Sequence, residues 1–362
     1  MRAVAKLRGA SSPPTRVVVS GCGAVTRLYA APALALLQAR GEVEVVGIFD
    51  PNPASMDAVR AILLGGLATA GFDALIGLGA DLAIVASPPR FHAEHSIAAM
   101  RAGLDVLCEK PLAITVADAD RMLVVAEETG RIFAAGHVRR HLPATKAAKA
   151  LLESGALGRP TSIDWFEGGP FAWPVASPSY FTVEQSGGGV LPDIGTHVFD
   201  LLRWWLGPPR LLHYADDAMG GVEANCLVRL DLGGCEARVR LSRDWTRPNR
   251  ALIRGEIANL AWTINEPEVL ELTLHGSSGL AATIDLRRPG RAPLDFIDCY
   301  AAEIADVVAA GREDRSPAVP GSAGRDALAL VEACRSAARP MSMPWLQSSL
   351  VAATVVPVEP AS

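Results

Sequence analysis

No C-x-x-C pair occurs anywhere in the 362 residues. The six cysteines, Cys22, Cys108, Cys226, Cys235, Cys299 and Cys334, are scattered. That argues against a disulfide framework or a zinc site and for reduced thiols in a cytoplasm; no metal is expected. No apolar run reaches the ~18–20 residues needed to span a bilayer. The opening MRAVAKLRGASSPPTR is basic but lacks an apolar h-region, so it does not read as a secretory signal. No membrane partner is expected. Ser-Ser-Pro-Pro favours an extended, unpacked segment, and residues 1–14 read as a disordered tail. A basic excess is missing too. A net charge of −5 and a pI near 5.8 argue against a nucleic-acid partner. Repeats of 20–50 residues are absent.

What is present is apolar. Half the residues are hydrophobic and 20% are charged, so sizeable cores can be buried and disorder is excluded for most of the chain. The length suggests two or three domains at roughly 100–200 residues each.

The first third alternates strand and helix. Strands are expected at Thr15–Ser20, Val43–Phe49, weakly at Ala74–Ile76, then at Asp81–Ala86, Asp105–Cys108 and Arg131–Ala135. Helices are expected at Arg27–Arg40, His92–Arg101 and Val116–Thr129. That alternation implies a doubly wound parallel sheet, whose ligands bind beyond the carboxyl ends of the strands. The glycine turn at Gly21, Asp50, the Ser87–Pro89 loop and Lys110 all fall there.

Gly21 and Gly23 supply the tight turn and the close backbone approach that a dinucleotide pyrophosphate needs. Ala24 and Val25 open the helix behind them, whose free N–H groups favour phosphate. Thr26 stands where a third glycine is usual, so strand and helix must be spaced slightly wider. Asp50 lies 24 residues beyond Thr26, near the ~20-residue spacing of a ribose-binding carboxylate. No Lys or Arg follows in Pro51-Asn52-Pro53, so NAD is favoured over NADP. The alternative is an Asp that caps a turn.

A second carrier of chemistry is VLPDIGTHVFDLLRWWLG, read as one helix from Val190 to Gly207. Asp193, His197 and Asp200 recur at i, i+4 and i+7, within an arc of roughly 60°. Burying such groups is costly unless they are paired. They form either a polar network between domains or a general acid/base histidine beside a carboxylate. Gly195 costs about 1 kcal/mol relative to Ala, which asks for a close neighbour.

Together these stretches resemble the Gfo/Idh/MocA oxidoreductases, relatives of glucose-fructose oxidoreductase and inositol dehydrogenase. The resemblance rests on GCGAVTR from Gly21, SPPRFHAEH from Ser87, AGLDVLCEKPLA from Ala102, GGGVLPDIGTHVFDLLRWWLG from Gly187 and AGRDALALVEACRSAARP from Ala323, and covers about residues 15–340. It implies an α/β Rossmann dinucleotide-binding domain at 15–136. An α+β substrate and oligomerisation domain follows at 137–340, with an open, mainly antiparallel sheet, and then a tail at 341–362. Thr161–Glu167, Val222–Leu232, Cys235–Ser242, Ala261–Asn265 and Val269–His275 read as strands of that sheet; Asp298–Ala310 and Ala323–Ala337 read as late helices.

The resemblance also implies Lys110, Asp193 and His197 as the catalytic set, with Arg140 near the substrate and His137 and His141 beside it. Ser87, Pro88, His92 and Glu109 join the cofactor side, although His92 equally suits the start of a helix. Trp165, Phe171, Trp173 and Tyr180 either line a sugar-sized cleft or pack a core. The implied activity is NAD-dependent hydride transfer to or from a sugar, cyclitol or sugar derivative, by a homo-oligomer, dimer or tetramer. A glycoside-cleaving enzyme using transient oxidation, or a non-catalytic NAD-binding sensor, are the alternatives.

Overall fold

A computed structural model describes residues 13–63, 65–175, 181–276 and 280–341. Tyr180 and most of both expected tails lie outside them. Val17, Val18 and Val19 are fully buried, as a strand covered on both faces requires. They sit in β1 (Thr15–Ser20), the inner strand of a six-stranded parallel sheet with β2 (Val43–Phe49), β3 (Leu67–Ala68), β4 (Leu82–Val85), β5 (Asp105–Glu109) and β6 (Phe133–Gly136). The order is β3-β2-β1-β4-β5-β6, so the topological switch point falls between β1 and β4. Helices α1 (Ala31–Ala39), α2 (Pro53–Arg60), α3 (Phe72–Ile76), α4 (His92–Arg101) and α5 (Val116–Thr129) connect these strands. The weak strand expected at Ala74–Ile76 is therefore helical, and the third strand is the two-residue Leu67–Ala68. A strand that short, with Leu67 60% exposed, carries no readable alternation.

Beyond β6 come α6 (Pro143–Glu153), β7 (Pro160–Gly168), α7 (Val183–Ser186) and α8 (Thr196–Leu206). Then follow β8 (Arg210–Asp216), β9 (Asn225–Leu232), β10 (Cys235–Ser242), β11 (Arg250–Gly255), β12 (Ala258–Thr263), β13 (Val269–Leu274) and β14 (Ala281–Asp285). The chain closes with α9 (Phe296–Glu313), α10 (Gly321–Ser336) and β15 (Arg339–Pro340). Nine strands form one open sheet in the order β14-β13-β12-β11-β7-β10-β9-β8-β15. It is antiparallel except where β7 meets β10 and β8 meets β15. β9 alternates buried and half-buried residues along its whole length, the signature of a sheet with one covered face.

The expected helix Val190–Gly207 begins as a wide π turn, Leu191–Gly195, and becomes α-helical at Thr196. The neighbour that Gly195 asks for is the sheet of its own domain: a Cβ there would lie 3.4 Å from Leu241 Cδ1 of β10. Late in the chain α9 packs on α1 and β5, while α10 packs on α5, β6 and α8. The Ala135 amide donates to the Val319 carbonyl at 3.1 Å. The C-terminal helices thus return to the first sheet and frame its carboxyl end.

Candidate active site

The turn after β1 is built for close approach. Gly21 has φ +97°, and a Cβ there would stand 2.3 Å from the Ala86 carbonyl oxygen at the end of β4. Only glycine fits. At Gly23 a Cβ would meet nothing within 4 Å, so open space lies before the backbone where the helix begins. Thr26 is fully buried, and its hydroxyl donates to the Gly21 carbonyl at 2.6 Å. Its extra bulk falls in a wide π turn, Thr26–Ala30, ahead of α1. The glycine-free third position is thereby accommodated.

Asp50, just past β2, accepts the Cys22 amide on Oδ2 and the Asn52 amide on Oδ1, each at 2.8 Å. Each carboxylate oxygen keeps lone-pair capacity for a further donor. Burial, then the Asp50 charge, pushes the Cys22 thiol up to about 12, so it is not a nucleophile. Ser87 Oγ is buried without a hydrogen-bond partner, an orphan beside the same turn. Its carbonyl faces His92 Nε2 at 2.7 Å, and His92 Nδ1 faces the Pro111 carbonyl at 2.9 Å. His92 thus ties the loop after β4 to the loop after β5, and burial pushes its pKa down to about 4. Both ring nitrogens face main-chain carbonyls inside the protein, and the neutral ring donates its one N–H to one of them, so His92 serves the loop. Pro88 is exposed and Glu109 is buried. Burial raises the Glu109 carboxyl, Lys110 opposing it, and the Tyr300 hydroxyl bonds to it. An open glycine turn, an accepting carboxylate and an orphaned hydroxyl suit a dinucleotide.

Lys110 extends from the end of β5 to the π turn. Its Nζ donates to Asp193 Oδ1 at 2.8 Å and to the Asp193 carbonyl at 2.9 Å. Sequence separation of 83 residues is thereby closed at one carboxylate. Arg243, which no motif marks, donates to Asp193 Oδ2 at 3.1 Å. His197 sits one turn beyond Asp193, its ring 5.7 Å from that of His137 and edge-on to it. Its Nδ1 is enclosed and has no hydrogen-bond partner among the described residues. Burial, then the charges of Arg139, Lys110 and His137, hold its pKa well below 6.5. These surroundings favour the uncharged ring.

Asp200 leaves this group. It takes Arg140 in a bidentate pair, at 2.8 Å to Nε and 2.6 Å to Nη2, with both side chains buried. Arg140 is therefore turned to a carboxylate of its own chain instead of presenting a free fork to a substrate. Next to it Arg139 pairs with Glu167 of β7. The helix thus splits its polar residues: Asp200 belongs to a network inside the second domain, whereas Asp193 meets Lys110 of the first, with His197 one turn along. Trp165 is core, packed against Trp205 and Trp262 at 6.1 and 5.9 Å. Trp173 stacks on Tyr29 at 6.2 Å, and Phe171 lies under Arg243 at 5.0 Å.

A parallel sheet with a glycine turn at its switch point is joined to a second domain whose Asp193 meets Lys110, with His197 one turn along, the architecture of a two-domain protein with a Rossmann fold. Models of one family match both parts: an oxidoreductase family NAD-binding Rossmann fold over residues 15–137, and a GFO/IDH/MocA C-terminal domain over 145–280. The chain belongs to the Gfo/Idh/MocA family. It is 36% identical to 1,5-anhydro-D-fructose reductase of Ensifer adhaerens over 35% of this chain and 38% of that protein. It is 31% identical to D-glucoside 3-dehydrogenase of Escherichia coli (strain K12) over 55% and 56%. The matched region thus spans about half or less of these curated relatives. In structure it is similar to the 3-ketoreductase KijD10 of Actinomadura kijaniata in complex with NADP and TDP-benzene (TM-score 0.78, 24% identity, 91% of this chain and 100% of that one). It is also similar to levoglucosan dehydrogenase in complex with NADH and levoglucosan (TM-score 0.79, 20% identity, 90% and 97%). Among the described residues no helix is long and apolar enough to cross a membrane.

Proposed function

We propose that the protein transfers hydride between a nicotinamide dinucleotide and a hydroxyl or keto carbon of a sugar, cyclitol or sugar derivative. The observation that carries the reading is Lys110 and Asp193 meeting at 2.8 Å, with His197 one turn further along the helix, at the mouth of the dinucleotide fold. A bound nicotinamide would supply the hydride acceptor or donor. Asp193 occupies two of the three Lys110 donors, and the third is left to stabilise charge developing on the substrate oxygen. His197 takes or returns the hydroxyl proton. Gly21, Gly23, Ala24 and Val25 would hold the pyrophosphate, while Asp50 and Glu109 would accept from the riboses. Asp50 with no cation after it supports NAD over NADP. The relatives' names, dehydrogenases and reductases, support hydride transfer over glycoside cleavage. Six buried free thiols support a reducing, cytoplasmic setting, and light scattering would read the dimer or tetramer that the family resemblance implies.

The test is a panel of polyols, sugars and nucleotide-sugars with NAD and with NADP, followed at 340 nm, alongside calorimetric titration of both cofactors. Turnover on at least one panel member and tighter NAD binding are expected. Binding of neither cofactor would sink the reading, and tighter NADP binding would sink the assignment of Asp50.

A further inference from the structure

His137 follows directly on β6. Gly136 pairs with Glu109 across β6 and β5. His137 and Lys110 therefore leave the carboxyl edge of the first sheet side by side, from strands about 4.8 Å apart. His137 is 2% exposed. Its Nδ1, like that of His197, is enclosed and has no hydrogen-bond partner among the described residues. The two rings stand edge-on, their centroids 5.7 Å apart. Two orphaned nitrogens on neighbouring buried rings are costly unless something joins them.

A neutral imidazole carries one proton and leaves its other nitrogen as an acceptor. Because Nδ1 of His197 is enclosed, a substrate hydroxyl is met by Nε2. For Nε2 to act as the base, the ring proton must sit on Nδ1, and there it needs an acceptor. Three charged or titratable groups act on His197: Arg139, Lys110 and His137. Arg139 and Lys110 are donors only. His137 alone of the three can accept. A single water between the two rings has the two polar partners it needs, an N–H to accept from and a nitrogen to donate to.

We propose that His137 is a positioning residue: through one water it takes up the Nδ1 proton of His197 as a hydrogen bond and so fixes the tautomer in which Nε2 is the base. The proposal deepens the function given above and rests on His197 being the base of that reaction. Its first test needs no substrate. Solid-state 15N NMR of histidine-labelled protein distinguishes the two neutral tautomers of each of the seven histidines, and H197Q identifies the His197 signals. Wild type should show His197 protonated on Nδ1. H137F removes the acceptor, and the proton should move to Nε2. H137Q keeps an accepting oxygen in the same place, and the proton should stay on Nδ1. An Nε2-protonated His197 in wild type, an Nδ1 proton that persists in H137F, or a change in H137Q as large as that in H137F overturns the proposal. If circular dichroism shows H137F unfolded, H137L carries the same expectation. A purely structural histidine would shift the melting point and leave the tautomer as it was. On a panel substrate, H137F should lower kcat roughly 10–100-fold with KM within about threefold of wild type, and H137Q should recover most of the loss. Turnover by a wild type whose His197 carries its proton on Nε2 would sink the proposal and leave the dehydrogenase reading standing. Failure of the whole panel with the tautomer pattern as expected would sink the dehydrogenase reading and leave the His137–His197 coupling in place.

Discussion

Asp193 has two cations on its carboxylate, whereas His197, one turn along, has a ring nitrogen that faces no partner among the described residues. The contrast sets their protonation. His197 sits among Arg139, Lys110 and His137 in a desolvated pocket, and each of these disfavours the imidazolium. Because its folded pKa is lowered, the unfolded chain takes up the proton first. His197 therefore weakens the fold as pH drops below 6.5 and has no such effect above it. In a 15N-correlated NMR titration the His197 resonances should stay those of the neutral ring from pH 8 down to about 6. A midpoint at or above 6.5 would overturn this assignment. The meeting of Lys110 with Asp193 was legible in the sequence, since helical spacing aligns Asp193 with His197 and the strand end and the family resemblance bring in Lys110. Arg243 was not, because a lone arginine after a strand differs in no local way from one in solvent. Asp200 misled for the opposite reason: helical spacing aligned it with His197, but its partner Arg140 lies 60 residues away.

At the scale of elements, the strands that could be read were β-branched or regularly alternating, such as TRVVVS and NCLVRLDL. RLLHYAD and RALIRG, β8 and β11, escaped because arginines at their ends and mixed interiors blur the period. The π turn Leu191–Gly195 also left no mark, since it changes the winding without changing composition. α9 begins two residues earlier than expected because Asp295 and Asp298 form a capping box. The same helix carries an oddity. Glu303 is 2% exposed, and its Oε1 has no partner. Burial, then the nearby charges of Glu109, Asp200 and Asp306, raises its pKa well above 4.5. A raised carboxyl stabilises the fold below the unfolded pKa and loses that contribution as pH climbs toward the folded value. Glutamine mimics the protonated form at every pH. E303Q should therefore raise the melting point more at pH 8 than at pH 5, read by differential scanning calorimetry. A gain that is flat or reversed with pH would show Glu303 to be ionised in the fold.

Across the whole molecule, two sheets were anticipated, but not the return of α9 and α10 to the first of them. β6 is last in its sheet, yet all four of its residues are buried. A sequence cannot announce that cover, because the helix supplying it lies some 190 residues further on in the chain and its inward face reads like any other amphipathic stripe. The first sheet therefore should not open without lifting both late helices. The six cysteines make that testable in the unmodified protein. They are free and buried, and they fall in the glycine turn (Cys22), β5 (Cys108), β9 (Cys226), β10 (Cys235), α9 (Cys299) and α10 (Cys334). Under slow thiol alkylation in native buffer, Cys108, Cys299 and Cys334 should react at one common rate, set by a shared opening. A Cys299 rate tenfold above that of Cys108 would mean that α9 peels away by itself. The scattered thiols, inert in the closed fold, thus act as six clocks distributed along one chain: their relative ticking records the order in which this architecture comes apart.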